Sequence, residues 1–357
     1  MLNFTVGPVQ MSQELCDLGA EQVPYFRTPE FSKVMLENEQ MLLSLAHAPE
    51  GSRAVFLTGS GTASMEAAVM HAFTPKDKVL VINSGSFGAR FAQLCQVHGI
   101  PMEEVRLAPG QALRESHLAP FENRGFTGLL VNLCETSTGI RYPLPLLADF
   151  CQRNGCFFVA DAISAFLADP VDMAACGIDM LLTGSQKALA CPPGVSAVMM
   201  APRAVERAMN APVHCLYLSL KEALVNGLRG QTPFTPAVGI LLQIHRRLNG
   251  LMEKGGAEAE VARAAQLAQG FRARISDLPL EMLPQEPSNA VTALMPRNQN
   301  AYAIFETLKN EYAIWVCPNG GDLKDRVFRV GHLGNLTEAD YAALEKALRD
   351  LQSRNLL

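Results

Sequence analysis

Six short apolar runs occur in the first two hundred residues, and each ends close to a Gly, Ser, Thr, Asn or Asp. They span residues 54–57, 79–82, 128–133, 156–160, 180–182 and 195–200. Apolar runs of this length, without alternating polar side chains, are typical of strands that are buried on both faces of a sheet. The pattern therefore predicts a sheet that is covered on both sides.

Helical periodicity fills several of the intervals between these runs. Apolar side chains recur every three or four residues over 62–73, 87–97 and 144–151, which predicts amphipathic helices. Strands that alternate with helices form mainly parallel sheets, because each helix carries the chain back to the same starting edge. The sequence is therefore predicted to adopt an α/β fold with a mainly parallel sheet.

The pattern changes near residue 236. Long helices are predicted over 236–252 and 258–275, and a stretch with three prolines then leads into an apolar run at 290–295. A final amphipathic helix is predicted after Thr337, where Asp340 completes a sequence similar to a capping box. We predict a large α/β domain over residues 15–250 and a smaller α+β domain over residues 251–357, which residues 1–14 join.

Composition excludes several classes of function. Hydrophobic residues make up 48% of the chain and charged residues 18%, which favours a large interior or a subunit interface. No apolar run approaches the length of a membrane span, and no basic segment followed by an apolar stretch begins the chain, so we expect a cytoplasmic location and no membrane partner. The net charge of −5, without a Lys/Arg cluster, argues against nucleic acid as a partner. The cysteines lack metal-binding spacing and are expected to be reduced thiols, so no metal site is predicted.

A glycine-rich turn, Thr58-Gly-Ser-Gly-Thr62, lies between a predicted strand and a predicted helix. Ligands bind at the carboxyl ends of parallel strands, and backbone N–H groups at such a turn can converge on a phosphate. A dinucleotide fingerprint is disfavoured by Ser64 and Asn83, and the Gly-Lys of a nucleotide-binding P-loop is absent. Local sequence alone would equally allow a tight turn without a ligand.

Three charged residues lie in or next to predicted strands, where they could also contact a ligand. Asp161 ends an apolar strand, where a carboxylate would meet either a cation or a helix terminus. Lys187 lies among apolar residues, where lost hydration would lower its pKa, although a lysine at a strand end is more often solvated. Arg329 alternates with apolar neighbours and suits either a carboxylate ligand or an exposed strand edge.

The combination of these parts in this order is more informative than any one of them. Pyridoxal phosphate needs N–H donors for its phosphate, a carboxylate for its pyridine nitrogen and a lysine for its aldehyde, and an amino-acid substrate needs an arginine. With these residues, the sequence resembles fold-type I pyridoxal-phosphate enzymes of the class V aminotransferase family over nearly its whole length. The segment 184–194 is especially similar to the alanine–glyoxylate and serine–glyoxylate branch, and 2-aminoethylphosphonate transaminases are the next neighbours.

The resemblance implies a role for each matching residue. Lys187 would form the Schiff base with the cofactor, and Asp161 would pair with its pyridinium nitrogen. Phe87 would lie against the pyridine ring and Thr136 near the phenolic oxygen. The phosphate would be bound by the turn and by a neighbouring glutamine, namely Ser60, Gly61, Thr62 and Gln186.

The resemblance also implies a homodimer whose active sites lie at the subunit interface. Thr232 matches a threonine that reaches the phosphate of the neighbouring subunit, and Arg229 stands where the family usually has a tyrosine. The substrate site would include Val6, Gly7 and the carboxylate-binding Arg329.

The implied reaction is a ping-pong transamination from a small amino donor (alanine, serine or 2-aminoethylphosphonate) to a small 2-oxo acid such as glyoxylate or pyruvate. A lyase or cysteine desulfurase on the same fold is the alternative. We expect Cys317 to be buried and fixed, and desulfurases usually have histidine where this chain has Gln186. A nicotinamide-dependent dehydrogenase and a non-catalytic relative are weaker alternatives.

Overall fold

The computed structural model describes residues 1–213 and 215–357. The strands are β1 Leu2–Asn3, β2 Arg53–Thr58, β3 Val79–Asn83, β4 Met102–Arg106, β5 Gly128–Asn132, β6 Cys134–Glu135, β7 Ile140–Arg141, β8 Phe157–Asp161, β9 Met180–Gly184, β10 Val195–Met200, β11 Leu280–Met282, β12 Val291–Pro296, β13 Ile314–Trp315, β14 Cys317–Pro318 and β15 Phe328–Gly331. The α-helices are α1 Gln13–Gly19, α2 Pro29–Leu45, α3 Gly61–Ala72, α4 Ser86–Val97, α5 Glu115–Leu118, α6 Leu144–Asn154, α7 Pro202–Asn210, α8 Leu220–Gly227, α9 Val238–Glu253, α10 Gly256–Arg274, α11 Ala301–Tyr312 and α12 Glu338–Ser353.

A seven-stranded sheet in the order β2-β10-β9-β8-β5-β3-β4 forms the centre of the molecule. Strand β10 is antiparallel to both of its neighbours, and the other pairings are parallel. The prediction of a mainly parallel sheet is therefore confirmed. Strands β2, β3, β5, β8 and β9 all end at one edge, where the candidate site residues lie.

Alternate residues of the central strands enter two different hydrophobic cores. On β3, for example, Val81 packs into one core and Ile82 into the other. Both faces of the sheet are thus covered by helices, as the continuous apolar runs predicted. The edge strand β4 was not predicted, because its sequence Met-Glu-Glu-Val-Arg reads as a polar segment.

A second sheet of four strands, in the order β11-β12-β15-β14, follows in the last third of the chain. A separate core that includes Phe4, Phe271 and Tyr341 packs against it. The amino terminus joins this part through the parallel pairing of β1 with β13. The predicted domain boundary at residue 250 falls inside α9, which ends at Glu253.

The predicted helices are present, with ends shifted by a few residues. The capping box at Thr337 is present, since Thr337 and Asp340 each bond the other's backbone N–H. Within the described residues, no helix is both long and apolar enough to cross a membrane.

Candidate active site

Lys187 lies just beyond the end of β9, and its side chain is buried. Its Nζ donates a hydrogen bond to the backbone oxygen of Val6, so the amino-terminal segment reaches the site. Burial lowers the pKa of Lys187 to about 8. The positive charge of Arg329 acts in the same direction, whereas Cys317 and Asp161 oppose it. The structure thus provides a lysine whose neutral, nucleophilic form is accessible near physiological pH.

Gly7 packs directly on the Lys187 side chain. A Cβ atom on Gly7 would lie 2.8 Å from Cδ and 2.9 Å from both Cε and Nζ of Lys187. The backbone of Gly7 also has a φ of +135°, which favours glycine. Both observations explain why the turn beside the lysine carries no side chain.

Asp161 is the last residue of β8 and is buried beside Lys187. Its Oδ1 accepts a hydrogen bond of 2.7 Å from the backbone N–H of Ile163, and no residue in the described ranges bonds Oδ2. Burial raises the pKa of Asp161 to about 6, and the Glu135 carboxylate adds to this, while Lys187 and Arg90 lower it. One carboxylate oxygen is thus available to a cationic ligand.

The glycine-rich turn forms the amino terminus of α3, with Ser60 at the N-cap position. The Ser60 side chain is exposed and makes no cap hydrogen bond, so its hydroxyl can bind a ligand. A Cβ atom on Gly61 would lie 2.4 Å from Cδ1 of Ile163, which means that the turn packs against the segment after Asp161. The N–H groups of the first helical turn point out at this edge and suit an anion.

Arg90 adds a cation to this turn, and the sequence did not single it out. Its Nη1 donates to Oγ1 of Thr62 at 3.2 Å, and its guanidinium lies 4.9 Å from the ring centre of Phe87. Arg90 forms no salt bridge with the part of the chain that the structure describes. Its spacing of three residues after Phe87 on a predicted helix was the one signal in the sequence.

Thr136 and Gln186 lie next to this cluster. The Thr136 hydroxyl is 2.7 Å from that of Ser164, a further residue that the sequence did not reveal. Gln186 precedes the lysine, and its Oε1 is buried without a hydrogen-bond partner among the described residues. An unpaired buried acceptor of this kind is expected where a donor from a ligand or an ordered water completes the site.

Arg329 projects from β15 and is held by two backbone carbonyls. Its Nη1 donates to Thr136 O at 3.0 Å and its Nη2 to Pro318 O at 2.7 Å. Its Nε is buried and bonds no group in the described ranges. The guanidinium is therefore oriented and still has a free donor, which suits a carboxylate.

The expectation that Cys317 is buried is wrong. Cys317 is half-buried and lies on β14 directly opposite Arg329. Cross-strand partners project to the same face of a sheet, so the thiol faces the site. The apolar residues before Cys317 suggested burial because local sequence does not show which face of a short strand is open.

Arg229 and Thr232 are not joined to this cluster within one chain. Arg229 is exposed, and its Nη2 donates to Asn226 Oδ1 at 2.7 Å. The Thr232 hydroxyl donates to Phe234 O at 2.7 Å. A cavity of about 820 Å³ beside the start of α6 and α10 also lies apart, because none of the predicted site residues line it.

Comparisons with known proteins agree with this geometry. A family model described as aminotransferase class-V matches residues 25–321, a range that includes the glycine-rich turn, Asp161 and Lys187. The chain is 31% identical to the soluble hydrogenase 42 kDa subunit of Anabaena cylindrica, covering 92% of this chain and 88% of the relative. It is 27% identical to L-aspartate–glyoxylate aminotransferase of Paracoccus denitrificans, covering 98% and 91%. An aspartate aminotransferase of subgroup IV from Thermus thermophilus has the same fold, with a TM-score of 0.92, 28% identity and 99% coverage of both chains.

Proposed function

The chain belongs to the class-V aminotransferase family and depends on pyridoxal 5'-phosphate, and from this premise we propose that it moves an amino group from a small amino donor to a small 2-oxo acid. The donor is of the alanine, serine or 2-aminoethylphosphonate type, and the acceptor is glyoxylate or pyruvate. The observation that carries the proposal is the buried Lys187, with its lowered pKa, beside the buried carboxylate of Asp161.

The residues present fit the cofactor. The open Oδ2 of Asp161 suits the pyridinium nitrogen, and Lys187 suits the aldehyde. The amino terminus of α3 and Arg90 would hold the phosphate, and the side-chain NH₂ group of Gln186 is a further donor for it. When bound, the cofactor supplies an electron sink for bonds broken at the substrate carbon.

The remaining chemistry belongs to side chains of this protein. Lys187 would accept and return the proton at the substrate α-carbon, since a pKa near neutrality suits both directions of transfer. Arg329 would bind the substrate carboxylate through its free Nε, while its two carbonyl contacts keep it from rotating. Burial of Lys187 and Asp161 keeps water from the reacting atoms.

The lowered pKa of Lys187 predicts the pH dependence of cofactor attachment. Only the neutral amine attacks an aldehyde, so the attachment rate to cofactor-free protein should rise with pH and level off above about pH 8. With a lysine of ordinary pKa, the attachment rate would continue to rise up to about pH 10. Stopped-flow absorbance after addition of pyridoxal 5'-phosphate measures the rate, and a continued rise to pH 10 would contradict the assignment.

Gly7→Ala is expected to reduce kcat about 100-fold without unfolding the protein, since a misplacement of about 1 Å has this effect on a reacting group. The added methyl would displace the Lys187 side chain, which it would approach to 2.8 Å. Gly99→Ala is the matched control, because Gly99 also has a positive φ but no atom within 4 Å of an added Cβ. Equal kcat values for the two variants, measured in a coupled assay, would show that Gly7 has no special relation to the lysine.

A half-reaction panel tests the proposed activity. Alanine, serine, aspartate and 2-aminoethylphosphonate are added separately, and loss of the cofactor's visible band is followed for each. Aspartate is included because the name of the Paracoccus relative includes it. At least one of alanine, serine and 2-aminoethylphosphonate should convert the band within seconds, and recovery should require glyoxylate or pyruvate. If none of these three donors converts the band, the proposal is refuted.

Arg329→Leu should raise the apparent Kd of carboxylate donors in the same assay about 10- to 100-fold, because hydrogen bonds to charged groups contribute about 1.5–3 kcal/mol. Arg326→Leu is the control, since Arg326 is exposed and precedes the strand that carries Arg329. Equal donor affinities in the two variants would remove Arg329 from the substrate site.

The proposed enzyme is a cytoplasmic homodimer in which Arg229 and Thr232 reach the phosphate in the partner's site. Support comes from large apolar side chains exposed near this segment. Leu228 is 71% exposed, and Tyr217, which is 51% exposed, stacks on Phe234 at 5.6 Å. Exposed apolar patches are typical of interaction surfaces. Sedimentation equilibrium of the purified protein tests the dimer, and a monomer at micromolar concentration would contradict it.

A cysteine desulfurase is the second candidate, because Cys317 faces the site from beside Arg329. Its place within a paired strand and the glutamine before Lys187 still favour transamination. Sulfide release from cysteine, lost in Cys317→Ser, would support the desulfurase. A wild type that releases no sulfide from cysteine, together with transamination that survives in Cys317→Ser, would exclude it.

A further inference from the structure

The Glu135 carboxylate is completely buried on the segment that follows β5. Its Oε2 accepts hydrogen bonds from the backbone N–H groups of Phe87 at 3.1 Å and Gly88 at 3.0 Å, and from Asn132 Nδ2 at 3.0 Å. Its Oε1 accepts from the backbone N–H and the hydroxyl of Ser137, at 3.1 and 2.5 Å. Five donors therefore converge on one carboxylate, so both of its oxygens accept more than one hydrogen bond.

Two of these donors belong to the first turn of α4. The N-cap of this helix is Gly85, which has no side chain to accept a hydrogen bond. Glu135 takes the place of a cap from a distant part of the chain, and its negative charge also suits the positive end of the helix dipole. The fit is close, since a Cβ atom on Gly85 would lie 2.5 Å from Cδ of Glu135. The position of Phe87, and of Arg90 one turn later, thus depends on Glu135.

The backbone that carries Glu135 also contacts the substrate side of the cluster. The next residue, Thr136, supplies the carbonyl that accepts from Nη1 of Arg329 at 3.0 Å. Ser137 supplies a carbonyl that accepts from Nδ2 of Asn319 at 2.8 Å. Asn132, whose amide bonds Glu135, pairs in register with Asp161 on the adjacent strand. Residues 132–137 therefore contact the parts of the site that are proposed to hold the cofactor ring, its pyridinium nitrogen and the substrate carboxylate.

We propose that Glu135 is a positioning residue. Its carboxylate holds the helix turn that carries Phe87 in a fixed position relative to the Thr136 carbonyl, which orients Arg329. The inference rests on the proposed function of the site. A carboxylate is required because all five partners are donors, and a glutamine would turn its NH₂ group toward at least one N–H or O–H. The negative charge of Glu135 also acts on Asp161, whose pKa it helps to raise.

Glu135→Gln in the holoenzyme tests the proposal, with Glu39→Gln as the matched control. Glu39 is also buried and accepts from the backbone N–H of Ala54 at 2.9 Å and from Arg53 at 2.6 Å, but neither partner is a residue assigned to the site. Both variants should lose thermal stability. Glu135→Gln alone should weaken the affinity for pyridoxal 5'-phosphate about 10- to 100-fold, because the helix terminus that positions Phe87 loses its cap. It should also change the visible circular dichroism of the bound cofactor.

The outcomes separate the possibilities. If Glu135→Gln matches Glu39→Gln in cofactor affinity and visible dichroism, Glu135 is only a structural residue and the proposal is overturned. If Glu135→Gln does not fold, Glu135→Asp decides the question. The shorter carboxylate should keep the fold yet alter the dichroism, and an unaltered spectrum would overturn the proposal. Failure of the wild type to bind the cofactor or convert any donor would instead refute the proposed function.

Discussion

Lys187→Ala should lower turnover by a factor on the order of 10⁴, because it removes both the group that bonds the cofactor and the group that moves the proton. Lys187 is the lysine that burial brings to a pKa of about 8 at the strand ends. The measurement is the rate of the half-reaction with the best donor. Lys187→Arg is the matched variant, since arginine retains the positive charge but stays protonated and cannot act as a base.

Both variants should be equally inactive. If Lys187→Ala kept more than about a tenth of the wild-type rate, the general-base role could not be correct, since general acid–base catalysis contributes about 10²–10⁴-fold. If Lys187→Arg alone were active, the charge of the side chain, and not its proton transfer, would be the property that matters.

Asp161→Asn should lower kcat about 10²- to 10³-fold, the usual loss when one preorganised electrostatic group is removed. The carboxylate stabilises a positive charge at the pyridine nitrogen, and a neutral amide does not. Because the pKa of Asp161 is raised to about 6, cofactor affinity of the wild type should fall as pH drops through this value. Above pH 6 the carboxylate is charged and the ion pair is complete.

Equilibrium titrations with pyridoxal 5'-phosphate between pH 5 and pH 8 measure this dependence. The decline near pH 6 should be absent in Asp161→Asn. Asp179→Asn is the control, since Asp179 is buried and paired with Arg203 but lies just before β9, at the opposite end of that strand from Lys187. It should lose stability and keep kcat. The same loss of kcat in both variants would mean that Asp161 acts only through the fold.

The central sheet could be predicted because burial on both faces leaves a local signal. Strands such as Val79–Asn83 and Phe157–Asp161 are apolar up to their last residue, whatever their neighbours in space. The edge strand Met102–Arg106 has one partner and polar side chains that are half-buried or exposed, so its sequence resembles that of a loop. Edge strands are set by pairing with a neighbour that local sequence does not identify.

The same distinction holds for the site. The positions of Asp161 and Lys187 could be predicted because Asp161 ends one strand and Lys187 follows another, and the carboxyl ends of these strands share one edge. Glu135 and Arg90 could not, because their roles arise from contacts with Phe87 and Thr62 that only the folded chain creates. Residues that position others have no sequence motif of their own, and they are identified only from their contacts in the folded chain.

The most direct test of the account is the site of covalent attachment. Wild-type protein incubated with pyridoxal 5'-phosphate is reduced with borohydride, digested and examined by mass spectrometry. We expect a single phosphopyridoxyl adduct on the peptide that contains Lys187, and loss of the visible band on reduction. An adduct on another lysine, or no stable adduct in protein that shows the visible band, would contradict the assignment of Lys187.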